Sequence, residues 1–377
     1  PIPFYEGFDY PVEAGIVRKP VDRGWTCGNN FDRFAPYMPV GMIETEAAPY
    51  MHGTTGSALA FAGRTVVNGY KLSTGDSIAL APKEYAWAIT PELTGKDLRD
   101  CQVRFWMGLG PYGAMSNHAK SVIVGIVEDP EDLSAESFTA IDTITMTQSH
   151  RFEEYVVSFE KYEGKGKQVA FVSAFNDKWN VFFLDDIYVE PRPELAKPVG
   201  LTTEYTGADV TLKWDKVEGA TSYNLVVSTE LGETPESVLA KSKVVNTNVT
   251  TNSYVVSEIE AGKLFFYYVQ AVKGDNKGLW SNAYDFYTYC GVQNEQFYDF
   301  EADNLYSWVN IHSGSTINNV KCVATYSTDA DFPHAASGST YAFQGTYYFT
   351  NSNDRYKDAY VVFPPVDRVD TMQIDFY

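Results

Sequence analysis

Apolar residues along this chain alternate with polar ones in short runs, and they hardly ever recur at the spacing of a helix. The clearest runs are Val122, Val124, Ile126; Tyr155, Val157, Phe159; Val169, Phe171, Ser173, Phe175; and Phe183, Ile187, Val189. Each run is bounded by Gly, Pro, Asn or Asp, and many short strands between turn residues are typical of a sandwich or barrel. The pattern therefore predicts an all-β chain.

A proline-rich stretch over 190–198 marks the clearest domain boundary. Proline interrupts strand ladders and is common in linkers between domains. A second boundary falls near 289–294, where a strand-like run ends at Cys290-Gly291. Because 377 residues are too many for one β-sandwich, these boundaries predict three domains, over 1–192, 193–290 and 291–377.

The first and last of these regions share short motifs in the same order. The pairs are Phe4-Tyr5-Glu6 with Phe297-Tyr298-Asp299, Gly56–Phe61 with Gly338–Phe343, Ile89-Thr90-Pro91 with Phe363-Pro364-Pro365, and Gln102–Trp106 with Gln373–Tyr377. Four matches in one order indicate an internal repeat. The second copy stops where the first is about half complete, and half a sandwich cannot bury its inner face. We therefore expect the protein to continue beyond Tyr377.

The middle region carries Trp214, then the alternating Tyr223, Leu225 and Val227, and later an apolar strand over 264–271. This order of motifs resembles a fibronectin type III domain, which implies a second β-sandwich. The corner position that usually holds Tyr in that family is Phe265 here, so we expect the hydroxyl bond of the corner to be absent. The region has no Arg-Gly-Asp tripeptide, and we interpret it as a spacer.

The first region reads Phe8-Asp9, Gly24-Trp25, Trp87-Ala88-Ile89-Thr90-Pro91 and, near its end, Leu184-Asp185-Asp186-Ile187. This order resembles the cleaved-adhesin or choice-of-anchor jelly-roll domains, relatives of the meprin-type adhesion sandwich, which are common on secreted and surface proteins of Bacteroidota. The resemblance covers the first region and part of the last. It implies a jelly-roll, a fibronectin type III sandwich and a second, truncated jelly-roll, with adhesion or ligand binding outside the cell.

The same resemblance implies structural calcium (Ca2+). In a jelly-roll the first and last strands lie close together, which brings Glu6 or Asp9 towards Asp185 or Asp186. Calcium takes six to eight oxygen ligands, and these four residues are the predicted ones. Asp299 and Glu301 hold the corresponding early positions in the second copy.

Simple alternation places Asp185 on the core face with Phe183, Ile187 and Val189. A carboxylate there needs a cation or several hydrogen-bond donors to offset its desolvation. The alternative is that Asp185 caps a turn or lies at a strand end in water.

The formal charge of the chain is −20, from 49 acidic and 29 basic residues. Such a surface repels phosphate groups, so nucleic acid and anionic membranes are not expected as partners. No apolar run approaches the roughly 20 residues that cross a bilayer. The chain starts at Pro1 without a signal-like segment, so we expect a mature or trimmed form of a secreted or surface protein.

Four cysteines are widely spaced and form no CxxC pair, which argues against metal or redox motifs. They are Cys27, Cys101, Cys290 and Cys322. Two fall in each outer region, so disulfides between Cys27 and Cys101 and between Cys290 and Cys322 are one interpretation. Buried thiols are the other, because spacing does not fix disulfide geometry.

No catalytic motif stands out. Five histidines lack the spacing of metal ligands, and the chain has no GxSxG elbow, P-loop or dinucleotide fingerprint. Catalysis is therefore not expected within these residues, although 49 acidic residues leave a glycosidase pair open by counting alone.

Three aromatic residues in segments of loop-like composition are candidates for stacking on sugars: Tyr70, Tyr112 and Trp179. Most other aromatics alternate along strands and are more simply core. The predicted function is a non-catalytic extracellular binding or adhesion protein of the bacterial surface, with a glycan or a surface protein as partner. The alternatives are a carbohydrate-binding accessory to polysaccharide utilisation and a structural stalk for another functional domain.

Overall fold

The structure is a computed structural model. It describes residues 1–9, 23–29, 52, 58–62, 85–108, 120–134, 136–146, 152–174, 181–206, 209–232, 235, 243–257, 264–288, 310–313, 320–321, 344–345, 359–362 and 373. The regular elements are β-strands, with a short 3-10 helix at Leu98–Asp100. The chain divides into two compact units, Pro1–Arg192 and Pro193–Tyr377. The predicted all-β fold is confirmed.

The first unit contains ten strands in its described residues. They are β1 (Phe4–Glu6), β2 (Thr26–Asn29), β3 (Leu59–Ala62), β4 (Tyr85–Ile89), β5 (Cys101–Gly108), β6 (Lys120–Val127), β7 (Phe138–Met146), β8 (Glu153–Ser158), β9 (Gln168–Ala174) and β10 (Val181–Pro191). One sheet has the order β1-β10-β5-β8, and β3 also pairs with β10. The other has the order β2-β4-β9-β6-β7. Strands that are distant in sequence thus lie side by side, which is the jelly-roll arrangement of two antiparallel sheets.

Strand β5 shows why this sequence forms a sandwich. Val103, Phe105 and Met107 are fully buried and join the core between the sheets, whereas Arg104 and Trp106 are only partly buried. Successive side chains of a strand point to opposite faces of the sheet. The alternating apolar positions therefore face inwards, and Arg104 and Trp106 lie on the outer face.

Strand β10 breaks this alternation with a β-bulge at Asp185–Asp186. Asp185 of β10 lies opposite Trp106 of β5, and Tyr188 lies opposite Arg104. Two residues separate these pairs on β10 and one separates them on β5, so β10 holds one extra residue. Asp186 adopts φ 43, in the left-handed region that Asp tolerates better than most residues. Leu184 and Ile187, on either side of the bulge, therefore both join the core.

The bulge corrects one prediction. Alternation put Asp185 on the core face with Ile187, but the extra residue puts the two on opposite faces. Asp185 lies opposite Trp106 on the outer face of the sheet, and it is nevertheless buried.

The second unit begins with a smaller sandwich. Its strands are β11 (Thr202–Thr206), β12 (Asp209–Lys213), β13 (Ser222–Ser228), β14 (Lys243–Val249), β15 (Ser253–Val256), β16 (Leu264–Lys273), β17 (Asn276–Trp280) and β18 (Tyr284–Tyr287). One sheet has the order β11-β12-β15; the other has the order β14-β13-β16-β17, with β18 also on β16. Trp214, Tyr223 and Leu225 are buried in the core between them.

A tyrosine hydroxyl ties this sandwich together, although the sequence led us to expect none. Phe265 stacks on Phe286, and the hydroxyl comes from Tyr267, two residues further along β16. Its Oη lies 2.9 Å from the carbonyl oxygens of both Thr202 and Lys213. Tyr267 therefore links β16 to β11 and to the end of β12 on the opposite sheet.

The proline-rich stretch over 190–198 is more ordered than a linker. Strand β10 runs to Pro191, and Leu195 is fully buried in the core of the second unit. The Glu194 carboxylate accepts hydrogen bonds from the side chains of Lys273 and Asn276. The division between the units falls within this stretch.

The last region is described only in short pieces, which form β19 (Asn310–Ser313), β20 (Val320–Lys321), β21 (Gln344–Gly345) and β22 (Ala359–Val362). Strand β19 pairs with β22 over four residue pairs, and β20 pairs with β21 over two. The third domain, over 291–377, stays a prediction.

Candidate functional site

The outer face of the sheet β1-β10-β5-β8 carries a straight row of side chains. Tyr5 lies opposite Tyr188, Tyr188 opposite Arg104, and Arg104 opposite Val156. Residues directly opposite each other in an antiparallel sheet share a face and touch. These four residues, which we call the middle row, cross four strands.

The members of the middle row contact one another closely. The rings of Tyr5 and Tyr188 are 4.5 Å apart between centroids, and the Arg104 guanidinium carbon lies 3.7 Å from the centroid of the Tyr188 ring. Such a cation–π contact is attractive because the face of the ring is electron-rich. The row is therefore a continuous stack from Arg104 to Tyr5.

Carboxylates hold Arg104 from both sides. Its Nη1 donates to Glu154 Oε1 and its Nε to Glu190 Oε1, each at 2.9 Å, and Gln102 Nε2 also donates to Glu190 Oε1 at 3.1 Å. Burial lowers the pKa of Arg104, but Glu190 and Glu154 outweigh it and the net pKa is raised. The guanidinium is thus charged and fixed in place.

Asp186, at the bulge, anchors the other end of the row. Tyr5 Oη donates to Asp186 Oδ1 at 2.5 Å, and His52 Nδ1 lies 2.5 Å from Asp186 Oδ2. The His52 ring stacks on Trp106 at 3.9 Å between centroids. Burial raises the pKa of Asp186, but the bonds from His52 and Tyr5 outweigh it and hold the pKa below its usual value. Burial and the bond to Asp186 raise the pKa of Tyr5.

Asp185 is buried beneath this cluster. Its Oδ1 accepts from the Asp186 backbone N–H at 2.8 Å and its Oδ2 from the His52 backbone N–H at 3.0 Å. Burial raises the pKa of Asp185 to about 8, against these two bonds, which lower it. Asp185 is therefore largely protonated at neutral pH.

The four predicted calcium ligands do not all lie on one face of the sheet. Asp185 and Asp186 accept bonds from protein donors, as described above. Glu6 lies opposite the core residue Ile187 and accepts from the Phe8 backbone N–H at 3.0 Å, so it is on the other face of the sheet. Asp9 approaches Gly7, where an added Cβ would lie 3.0 Å from Asp9 Oδ2.

Within the part of the chain that the structure describes, no group of three or more His, Cys, Asp or Glu is placed to hold a metal. The predicted calcium site therefore stays a prediction.

Other predicted site residues have mixed outcomes. Cys27 lies on β2 and Cys101 on β5, in different sheets, and both are thiols. The Cys27–Cys101 disulfide is thus not formed; Cys101 Sγ donates to the Asp97 carbonyl at 3.3 Å, and burial raises its pKa. The remaining candidates lie outside the described residues: Tyr70, Tyr112, Trp179, Cys290, Asp299, Glu301 and Cys322.

Comparisons with known proteins give structural neighbours but no family. No protein family model matches the chain, and no curated protein matches it. A fibronectin type III-like protein from Clostridium thermocellum is 26% identical, over 25% of this chain and 90% of that one, with a TM-score of 0.20. The K3 cleaved adhesin domain of Lys-gingipain from Porphyromonas gingivalis is 17% identical, over 50% of this chain and 96% of that one, with a TM-score of 0.30.

A third neighbour is the glycoside hydrolase domain Endo-D from Streptococcus pneumoniae. It is 12% identical, over 71% of this chain and 37% of that one, with a TM-score of 0.27. The neighbours thus include both domain types that the sequence resembles. TM-scores this low carry no function over to this chain.

The sequence did not predict the middle row, because the aromatic residues predicted to bind a ligand were those in segments of loop-like composition. A signal was present: in β5 and β10 the positions between core residues are expected to be polar, yet Trp106 and Tyr188 occupy them. The role of His52 had no local signal, because it contacts Asp186 across 134 positions of sequence.

Proposed function

We propose that this chain is a non-catalytic, extracellular binding protein. Its ligand lies on the outer face of the first unit, and its fibronectin-like sandwich acts as a spacer. The observation that carries the proposal is the middle row, in which a half-exposed tyrosine, a second tyrosine and an arginine are stacked in line. Tyr, Trp and Arg are the residues most enriched at the centres of binding interfaces.

The way these side chains are held supports a binding role. Tyr5 is 49% exposed, so its ring adds little to the core, yet its hydroxyl is fixed by Asp186. Arg104 is fixed by Glu154 and Glu190. Side chains that are already ordered lose less conformational entropy when a ligand binds.

The second unit presents a different kind of surface. On the sheet β14-β13-β16-β17, side-chain amides form a chain of hydrogen bonds. Asn248 donates to Asn224, Asn224 to Gln270, and Gln270 to the Gly278 carbonyl, each at 2.9 Å. These amides satisfy one another, as suits a spacer whose face is not used for recognition.

The proposal also includes two separate expectations, one on where the protein is found and one on calcium binding. The adhesin-like resemblance favours a place on the cell surface or outside the cell. In the described residues, no helix is long and apolar enough to cross a membrane. Calcium stays a prediction, which needs oxygen ligands beyond the described residues.

The test is adhesion of fluorescently labelled protein to bacterial cells, epithelial cells and insoluble polysaccharide. Val156→Arg places a charged side chain at one end of the middle row and should abolish most of the retained fluorescence. Val255→Arg is the matched control, because Val255 is an exposed valine on β15 of the second unit.

Equal retention of both variants would rule out this face as the binding surface. No retention of the wild-type protein on any material would favour the stalk instead.

A further inference from the structure

We infer that the middle row binds an uncharged oligosaccharide along its length, an inference that rests on the proposed function. Tyr5 is the ring on which a sugar stacks. The row crosses three strand spacings, or about 14 Å at ~4.8 Å per spacing. That length suits several linked sugars rather than one. It also runs perpendicular to the strands, so the ligand would cross β1, β10, β5 and β8 in turn.

The chemistry of the row matches a sugar ring. The apolar face of a pyranose presents polarised C–H bonds, and the face of an aromatic ring is the negative end of its quadrupole. Tyr5 offers such a ring at 49% exposure. Its hydroxyl is held by Asp186, which is in turn held by His52, so the platform is fixed before the ligand arrives.

Polar groups flank the row on both sides. Glu190 and Gln102 lie opposite each other along one side, and Trp106 and Glu154 along the other. A sugar hydroxyl both donates and accepts hydrogen bonds, so it needs neighbours of both kinds. Arg104 supplies N–H donors, and Glu190 supplies carboxylate acceptors.

These groups keep some hydrogen-bonding capacity. The described donors to Glu190 reach its Oε1, and a carboxylate has a second oxygen with its own lone pairs. Arg104 has five N–H donors in all, of which the described contacts engage those on Nε and Nη1. A ligand hydroxyl can therefore bind without breaking the existing bonds.

Charge selects among sugars. The row has one guanidinium, that of Arg104, which forms ion pairs with the carboxylates of Glu154 and Glu190. Asp186 lies nearby, and its lowered pKa keeps its own carboxylate ionised. The local excess is negative, in a chain whose net charge is −20. Uronic acids and sulfated sugars would be repelled, so the ligand is a neutral glycan.

The experiment is isothermal titration calorimetry of the full chain with hexasaccharides of glucose, mannose, xylose and galactose, and with galacturonic acid oligomers. At least one neutral oligosaccharide should bind, and the acidic oligomers should not. Tyr5→Ala should weaken binding by roughly ten-fold or more, as expected for an aromatic at the centre of a contact. Tyr5→Phe keeps the ring and loses only the bond to Asp186, so the loss should be roughly two- to three-fold.

The matched control is Tyr205→Ala on β11 of the second unit. Tyr205 is 51% exposed, almost the same as Tyr5, and its loss should leave the affinity unchanged. Val156→Arg blocks the other end of the row without touching the bond between Tyr5 and Asp186. It therefore tests the row even if Tyr5→Ala fails to fold.

Preference for acidic oligomers, or equal effects of Tyr5→Ala and Tyr205→Ala, would overturn the inference. So would adhesion to cells that depends on Val156 while no oligosaccharide binds; the proposed function would then stand, with a protein as ligand. If neither cells nor oligosaccharides are bound, the proposed function fails as well.

Discussion

At the scale of single residues, Asp185 is a carboxyl whose burial opposes its ionisation. Folding raises its pKa from 3.8 to about 8, so between these values the folded state holds a proton that the unfolded state has released. The free energy of unfolding that this group contributes is therefore fully present below pH 3.8 and is lost as the pH rises towards 8. Asp186 acts in the opposite sense: its lowered pKa adds stability that is lost as the solution becomes strongly acidic.

Asp185→Asn should remove this pH dependence, because the amide cannot titrate. We expect the free energy of unfolding of the first unit to fall less steeply between about pH 5 and pH 8 in the variant than in the wild type. Urea denaturation at several pH values measures it, with Asp142→Asn at an exposed position of β7 as the control. An unchanged slope in Asp185→Asn would show that Asp185 is ionised in the folded protein.

Tyr267→Phe should destabilise the second unit by about 1 kcal/mol, because the carbonyls of Thr202 and Lys213 lose their shared hydroxyl donor. Tyr205→Phe, at an exposed position, should cost almost nothing. Urea denaturation of the two variants compares them directly. Equal stabilities would mean that the hydroxyl of Tyr267 contributes nothing to holding β16 against β11 and β12.

At the scale of elements, the bulge in β10 decides which side chains face the solvent. Asp186→Val would place a β-branched residue at the φ of 43 that the bulge requires. If β10 kept the valine but flattened into regular alternation, either Leu184 or Ile187 would leave the core. We expect a loss of about 2 kcal/mol or more from the strained backbone, measured as the midpoint of thermal or urea unfolding.

Asp186→Gly is the matched control for the valine variant. Glycine adopts positive φ readily, so the variant keeps the bulge and, like Asp186→Val, loses the bonds to Tyr5 and His52. If the valine and glycine variants were equally stable, the register of β10 would not depend on the backbone conformation at position 186.

The same strand carries two of the predicted calcium ligands. If calcium binds there, the melting temperature of the first unit should be higher in calcium than in EDTA, because an ion that binds only the folded state stabilises it. The rise should be lost in Asp185→Asn. Equal melting temperatures in EDTA and in calcium would contradict the predicted calcium site.

The elements also show what the sequence could predict. Alternation correctly predicted inward-facing positions at Val122, Val124 and Val157, because strand periodicity is a local property. The bulge was missed because three consecutive apolar residues, Phe182 to Leu184, precede it, so the sequence does not show which of them face the core. The partner of Asp186 was missed because His52 is distant in sequence, and the role of Tyr267 because resemblance pointed to Phe265.

At the scale of the whole molecule, the proposed function assigns binding to the first unit and spacing to the second. The first unit has a fixed aromatic row on one face, and the second has a sheet whose amides bond one another. The net charge of −20 disfavours anionic partners.

The most direct test of the binding face is hydroxyl-radical footprinting of the protein on the cells or polysaccharide that retain it. Tyr5 and Tyr205 are 49% and 51% exposed, so they should be oxidised at similar rates in the unbound protein. On binding, we predict that oxidation of Tyr5 falls several-fold while that of Tyr205 stays the same. Protection of Tyr205 with no change at Tyr5 would contradict the account and move the ligand to the second unit.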